Sequence, residues 1–433
     1  MKRNVLIILL FITANATLAQ QPLRLQDAIN AALKNSLDIQ LQKNNVEANT
    51  VLNNYGIAGG LPTISAGATD NESITSINQK YSDASRNTKR NNAASNGFNA
   101  NVTGSILLYN GMRVVATKNR LEQLQSQSEK LLNAQIQNTI AAVMTSYYDI
   151  VRQQSYQKTI DISIEAARQR LAIVQAQQSV GLANNQDLFQ SQLDLNALLQ
   201  TKQSQQIVIA QAKTELLRLL TAKADSVISV NDTILVDKAI HFENILNNLD
   251  KNAEIMAAED QIKINEQIVK ETAALRYPSV RANAGYNFTN NKNSAGFSLL
   301  NQSYGPTFGL SLSIPIYNGS SLKRQQRVAE IDVTNAQLQK QTLVRDYTAT
   351  ADKTYQAYQI TLQQLEAEQN NYKIAQQLLD LVLQKYELRV ATILDVRAAQ
   401  QSFEEAGFRL VNLNYSAKAS EIELKRLANL LTF

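Results

Sequence analysis

Between Thr307 and Tyr317 the chain reads TFGLSLSIPIY, and apolar side chains alternate with small or polar ones throughout. Phe308, Leu310, Leu312, Ile314 and Ile316 fall on one face, and Thr307, Gly309, Ser311, Ser313 and Pro315 on the other. A period of two predicts a strand with one wholly apolar surface. Its length also suits a tilted strand crossing a bilayer, which takes roughly 9 to 11 residues. A half-buried strand of a soluble sandwich has the same pattern, so this stretch alone leaves both readings open.

Three further stretches alternate in the same way. Ile64, Ala66 and Ala68 share a face over 62–70, and Phe98, Ala100, Val102, Ile106 and Leu108 over 96–109. Over 278–289, Val280, Ala282, Ala284, Tyr286 and Phe288 oppose Arg281, Asn283, Gly285 and Asn287. With 305–317 this makes four expected strands, while the polar stretches 71–95 and 290–304 read as solvated loops. Tyr109, Tyr277 and Tyr317 stand at one end of the strands and Phe98, Phe288 and Phe308 near the other, as an aromatic girdle would.

The rest of the chain has a helical period. Leu25, Ile29, Leu33 and Leu37 predict a helix over 23–55, and a second is expected over 242–275. After Tyr109-Asn110-Gly111 a proline-free pattern runs to about Ser179, with Leu132, Ile136, Ile140, Val143, Tyr147 and Val151 on one slowly drifting stripe. At 1.5 Å per residue such a helix reaches on the order of 100 Å, the scale of coiled coils. A reversal at 180–186 leads into a returning helix, Asp187 to Leu220, with Leu188, Leu195 and Leu199 on its seam. The series then repeats: a long helix over 320–387, a reversal at 388–392 and a helix over 394–430. Tyr317-Asn318-Gly319 matches Tyr109-Asn110-Gly111, and Pro278 matches Pro62. The offset stays at 208 residues from Tyr109 through Asp187, which is the register of a duplication.

The N-terminus changes the balance between soluble sandwich and membrane. Lys2 and Arg3, an apolar run from Val5 to Ile12 and small residues before Gln20 predict a cleaved export signal over 1–19. The expected segments are then 20–221 as first repeat, 222–241 as a connecting layer and 242–433 as second repeat. No run of 18 apolar residues follows the signal, so a closed barrel is the remaining way for this backbone to span a bilayer. Cysteine is absent, which removes disulfides and a cysteine-linked lipid anchor. The net charge of +5 falls to +3 without Lys2 and Arg3, and the interspersed remainder offers nucleic acid no basic patch. His241 is the sole histidine, and neither a phosphate loop nor paired catalytic carboxylates are evident, so no enzymatic activity and no cofactor or metal is expected.

Four strands cannot close, because the smallest membrane barrels have about eight, so an assembly sharing one barrel is implied. With the repeats, the Tyr-Asn-Gly pair and the reversals VGLANNQDL and LRVATILDV in view, the whole chain beyond the signal resembles the TolC-like outer-membrane efflux proteins. That resemblance implies an α+β membrane protein: a homotrimer with a shared twelve-stranded barrel in outer-membrane lipid, continued by a long periplasmic α-helical barrel. It also implies an exit duct working with a periplasmic adaptor and an inner-membrane transporter, for small molecules such as drugs, for metal ions or for secreted protein.

The resemblance assigns roles residue by residue. Val180, Gly181 and Leu182 match the adaptor-docking motif, and Arg389 stands where the family usually has glycine. Asp187, Tyr386 and Asp395 match entrance-gate positions, whereas Ala391 and Ala398 replace a latch arginine and a second aspartate. The lipid-facing set is Phe308, Leu310, Leu312, Ile314, Ile316, Val280, Val102 and Ile106. Read from the residues alone, Gly181 need only permit a turn, Asp187 and Asp395 suit the first turn of a helix, and Asn110 and Asn318 suit helix caps. An elongated coiled-coil protein of the periplasm or cell surface also explains the helices, though not four strands in register.

Overall fold

The computed structural model describes residues 22–431, so the expected signal over 1–19 lies outside them. In chain order the elements are α1 (Leu25–Asn35), α2 (Leu37–Leu52), β1 (Thr63–Gln79), β2 (Thr88–Tyr109), α3 (Arg113–Ser179), α4 (Asn185–Leu219), α5 (Phe242–Leu249), α6 (Ala253–Ala274), β3 (Ser279–Asn293), β4 (Leu300–Ser313), α7 (Ser321–Glu387) and α8 (Ile393–Leu427). The duplication is visible in the lengths: α3 and α7 each have 67 residues, α4 and α8 each 35.

Each expected single helix, 23–55 and 242–275, is two helices, and the breaks correspond. Ser36 Oγ accepts from the Ile39 N–H at 3.4 Å, and Asn252 Oδ1 accepts from the Glu254 N–H at 2.9 Å. A side-chain acceptor two or three residues before a free N–H restarts a helix, and apolar periodicity does not register it.

The chain folds as two compact units that do not follow the two sequence repeats. One comprises the segments up to Asn44, Lys130–Met256 and from Thr342; the other comprises Asn45–Glu129 and Ala257–Gln341. Each repeat contributes to both units.

In the first unit, α1 packs Ala28, Ile29 and Ala32 on Ile140, Val143, Tyr147 and Ile150 of α3 and Leu216 of α4. The duplicate core sets Ile245 and Leu249 of α5 against Ala351 and Tyr358 of α7 and Leu424 of α8. Segment 222–241 contains neither helix nor strand, so its polar groups need partners from outside it. Leu23 N–H donates to Ser229 O (2.7 Å), Lys418 Nζ to Leu235 O (2.9 Å), and Asp237 N–H to Glu421 Oε2 (2.9 Å).

The second unit holds one antiparallel sheet in the order β1-β2-β3-β4. Its register aligns the four alternating patterns. Ile64 pairs with Gly104, Gly104 with Ala284 and Ala284 with Phe308; one step along, Ala66, Val102, Tyr286 and Pro306 are level. Paired residues share a face, so the apolar positions of all four strands form one surface and the polar positions form the other.

The strands differ from their expected spans at both ends. β4 stops at Ser313, so Ile314 and Ile316 lie outside the strand that was to carry them, although Ile316 is 94% exposed. β3, its sole partner, begins at Ser279 just after Pro278, and Pro315 has no N–H to extend a ladder. At the opposite end the expected loops are largely strand: β1 runs to Gln79, β2 starts at Thr88, β3 ends at Asn293 and β4 starts at Leu300. Ser73 Oγ and Ser95 Oγ meet at 2.7 Å there, and Asn96 Nδ2 donates to Asp70 Oδ1 at 2.7 Å. Both faces are polar in that stretch, so no alternation marks it. Phe98 and Phe288 do sit together, with ring centroids 6.1 Å apart. Phe308 instead pairs with Ala284 in mid-strand, and Tyr304 is the residue level with Phe288.

Candidate functional site

The helical unit carries its sharpest features at the two reversals. After α3, Gly181 N–H donates to Gln178 O (2.9 Å) and Leu182 N–H to Gln177 O (2.8 Å), a Schellman pair that requires a left-handed residue. Gly181 supplies it with φ of +72°, and Val180 and Leu182 project into solvent. Asn184 then caps α4, its Oδ1 accepting from the Asp187 N–H at 2.8 Å. The second reversal repeats these bonds, Arg389 N–H to Tyr386 O (3.0 Å) and Val390 N–H to Lys385 O (2.8 Å), with Arg389 itself at φ +65°. A non-glycine residue held there costs about 1–2 kcal/mol. The departure from glycine also makes a contact, because Arg389 Nη2 donates to Leu182 O at 2.8 Å and joins the two reversals.

The two aspartates expected at the entrance occupy matching positions and make different bonds. Asp395 closes a capping box: its Oδ2 accepts from Thr392 N–H (2.7 Å) and Oγ1 (2.8 Å), while its own N–H donates to Thr392 Oγ1 (3.2 Å). Those bonds hold the exposed Asp395 carboxyl below the usual range. Asp187 instead only donates its N–H to the Asn184 cap. Burial, then the Asp187 charge, pushes the Tyr386 phenol up, with Arg170 opposing. Among the described residues no hydrogen bond joins Asp187 to Tyr386, and Asp395 is bonded to its own helix start.

Behind the reversals lies a charged cluster that the sequence reading missed. Arg170 of α3 has a fully buried side chain whose Nη2 donates to Asp194 Oδ2 of α4 at 2.7 Å. Arg397 Nε of α8 approaches the same oxygen at 3.3 Å, and Gln190 Nε2 donates to Asp194 Oδ1 at 2.8 Å. Burial lowers the pKa of the Arg170 guanidinium and Asp194 opposes it; Nε and Nη1 find no protein acceptor. One carboxylate thus serves two guanidiniums and links α3, α4 and α8. The signal was present: Ile160, Ala167 and Val174 are buried at heptad spacing, and Ser163 and Arg170 are buried on the adjoining heptad positions.

At the start of the long helices the Asn-Gly turns fix the exit from the sheet. Gly111 has φ of +67°, and a Cβ there would stand 2.7 Å from Tyr277 Cβ. Asn110 Oδ1 accepts from the Val114 N–H at 3.4 Å, whereas Asn318 accepts from Ser321 N–H through its backbone carbonyl, so the expected side-chain caps are not equivalent.

In the sheet unit, Phe308 is 82% and Leu310 76% exposed, Val102 and Leu312 are exposed, and Val280 and Ile106 are half-buried on the same apolar face. The opposite face holds Thr63, Ser65, Asn99, Asn101, Thr103, Asn283, Asn287, Thr307 and Ser311, joined by weak bonds such as Asn283 Nδ2 to Ser311 Oγ (3.4 Å). β1 and β4 are both edges. Among the described residues no helix is long and apolar enough to cross a membrane, and no group of three or more His, Cys, Asp and Glu could hold a metal ion.

Residues 245–430 match the family described as outer membrane efflux protein. The chain is 21% identical over 323 residues to outer membrane protein TolC of Vibrio cholerae, spanning 72% of each protein. Its fold superposes on the crystal structure of CusC with a TM-score of 0.78 at 19% identity, covering 93% of this chain and 91% of that one. The outer membrane protein VceC of Vibrio cholerae gives 0.77 at 17% identity, covering 94% and 96%.

Proposed function

We propose that this relative of the TolC-like outer-membrane efflux proteins is the outer-membrane exit duct of a tripartite pump, passing small molecules that an inner-membrane transporter delivers. The observation that carries this reading is the sheet: four strands in register, one apolar exposed face, one polar face and two unpaired edges. In lipid every backbone N–H and C=O needs a partner, so such edges are stable only when other copies close them. Three copies contribute twelve strands, with the apolar face toward lipid and the polar face toward a water-filled lumen. The function needs no catalytic residue, and the chain acts as a conduit.

The reversals are the end offered to a periplasmic adaptor. Val180, Gly181 and Leu182 present apolar surface there, and Arg389 joins the second reversal to the first. Asp187, Tyr386 and Asp395, repeated by threefold symmetry, form the entrance gate, where clustered carboxylates favour cations. The cargo class follows from the transporter and not from the duct. Outer-membrane fractions of cells expressing the full chain should yield a species that migrates as a trimer and falls to monomer on boiling. A soluble elongated monomer would overturn the assignment.

A further inference from the structure

The lumen reading assigns a direction to every strand residue, and with it a charge inventory. On the polar face, β1 contributes threonine, serine, glycine and asparagine from Thr63 to Thr75. β2 contributes Ser95, Gly97, Asn99, Asn101, Thr103, Ser105 and Leu107, and β4 the alternate residues from Asn301 to Ser313, none of them charged. β3 breaks the pattern once. Arg281 is level with Leu107 on one side and Ser311 on the other, and is the one charged side chain on this face within 63–75, 95–107, 279–291 and 301–313; the next, Arg90 opposite Ile77, lies at the far end of the sheet.

Arg281 is exposed and has no acidic partner among the described residues; its Nη1 donates to Ser105 Oγ at 3.2 Å. That bond steers the guanidinium across the polar face and leaves its charge uncompensated. The surrounding amides and hydroxyls can solvate the group and cannot neutralise it. Lipid behind the sheet has a low dielectric, so field lines from a charge on the inner wall concentrate in the water of the lumen. Copies related by threefold symmetry would place three such charges at one level.

We infer that Arg281 is the solute-sorting residue of the strand-lined lumen, forming a cationic ring that favours anionic solutes. The inference rests on the conduit reading proposed above. The carboxylates at Asp187 and Asp395 carry the opposite sign, so the duct has two filters, one for each charge. The entrance passes cations more readily, while the ring holds carboxylate, sulfonate or phosphate groups through the guanidinium fork. A solute carrying both charges, or one delivered past the entrance by a transporter, is the class best served.

A local probe separates the ring from the entrance. The chain has no native cysteine, so Ser311→Cys places one thiol level with Arg281. Its modification rates by a sulfonate-bearing and a trimethylammonium-bearing methanethiosulfonate are compared in membrane-embedded protein. At about 10 mM salt, where the Debye length is roughly 30 Å, the anionic-to-cationic rate ratio should fall about five- to tenfold on Arg281→Gln and hold on Arg281→Lys. In the chain that keeps Arg281, the same ratio should collapse as salt rises to about 1 M, where screening acts within roughly 3 Å. This second arm needs no substitution at Arg281. A thiol introduced by Ser303→Cys, on the order of 27 Å away along β4, should show no change at about 0.1 M salt. A ratio at the Ser311→Cys thiol that ignores both Arg281→Gln and salt would overturn the inference and leave the lumen intact. If neither reagent reaches that thiol in the membrane, yet both modify it after unfolding, the lumen reading falls and this inference with it.

Discussion

The two helical hairpins, α3–α4 and α7–α8, share a backbone and differ in what fills it. Both reverse through the same pair of hydrogen bonds at a left-handed residue, Gly181 in one and Arg389 in the other. The first encloses the buried Arg170 and its partner Asp194, while the matching positions of the second are Leu378 and Ser402. There the interior is Leu379, Leu383, Tyr386 and Phe403. Duplication kept the turns and lengths, and divergence of side chains made the copies unequal. The inequality has a direction: Arg389 reaches Leu182 and Arg397 reaches Asp194, so the second hairpin holds on to the first.

The largest expected effect breaks that asymmetry at its hub. Asp194→Ala leaves Arg170 buried without a carboxylate and should lower unfolding stability by about 3–5 kcal/mol. The matching Ser402→Ala, at an exposed position, should change it by no more than about 0.5 kcal/mol; denaturant titration of the two variants checks the difference. Next is Gly407 of α8, where a Cβ would lie 2.5 Å from Thr159 Cγ2. Gly407→Ala should cost about 1–3 kcal/mol by overpacking, and Gly407→Ala with Thr159→Ser should recover part of the loss. The first hairpin carries Leu199 at the matching place, so this close approach belongs to one copy only.

The reversals come third. Gly181→Ala meets no atom within 4 Å, so its cost is that of the backbone alone, about 1–2 kcal/mol. Arg389→Gly relieves a similar strain and loses the bond to Leu182, so the net change should be small; thermal melts of both variants test the pair. The smallest effect is a difference in pH response. The folded pKa of Asp395 is depressed, so its capping contribution is present above the ordinary aspartate value of 3.8 and is lost as pH falls through the lower folded value. Amide protection over 393–396, taken relative to the intrinsic exchange rate at each pH, should fall in acid, and Asp395→Asn should flatten that dependence. The first reversal is capped by the neutral Asn184 and should show no matching change.

These contrasts also mark how much was legible in the chain. The four strands were readable where one face is apolar, because Ile64, Val102, Val280 and Leu310 alternate with polar residues. Beyond Asp70 and Asn290 both faces are polar, and only the ladder reveals the strand. At the other end, alternation ran on through Ile314 and Ile316 although Pro315 and the start of β3 at Ser279 end the pairing. Matching positions identified Asp187 and Asp395, but whether the carboxylate closes a capping box depends on the choice of Asn184 or Thr392 three residues earlier. Arg170 was readable as a charge on a heptad core position. Its partner Arg397 comes from another helix, and only the packed structure brings it to Asp194. Arg281 stood out as one charge among asparagines, and its meaning depended on the register that gives its strand an inner face.

The central claim is that the two faces of the sheet meet two solvents. Single cysteines along β4 from Phe308 to Ser313, labelled by a membrane-impermeant thiol reagent in outer-membrane vesicles, test it most directly. The account predicts reaction at Gly309, Ser311 and Ser313 and protection at Phe308, Leu310 and Leu312, with a period of two. Uniform labelling of all six positions, or release of the protein from the membrane in high salt, would contradict it.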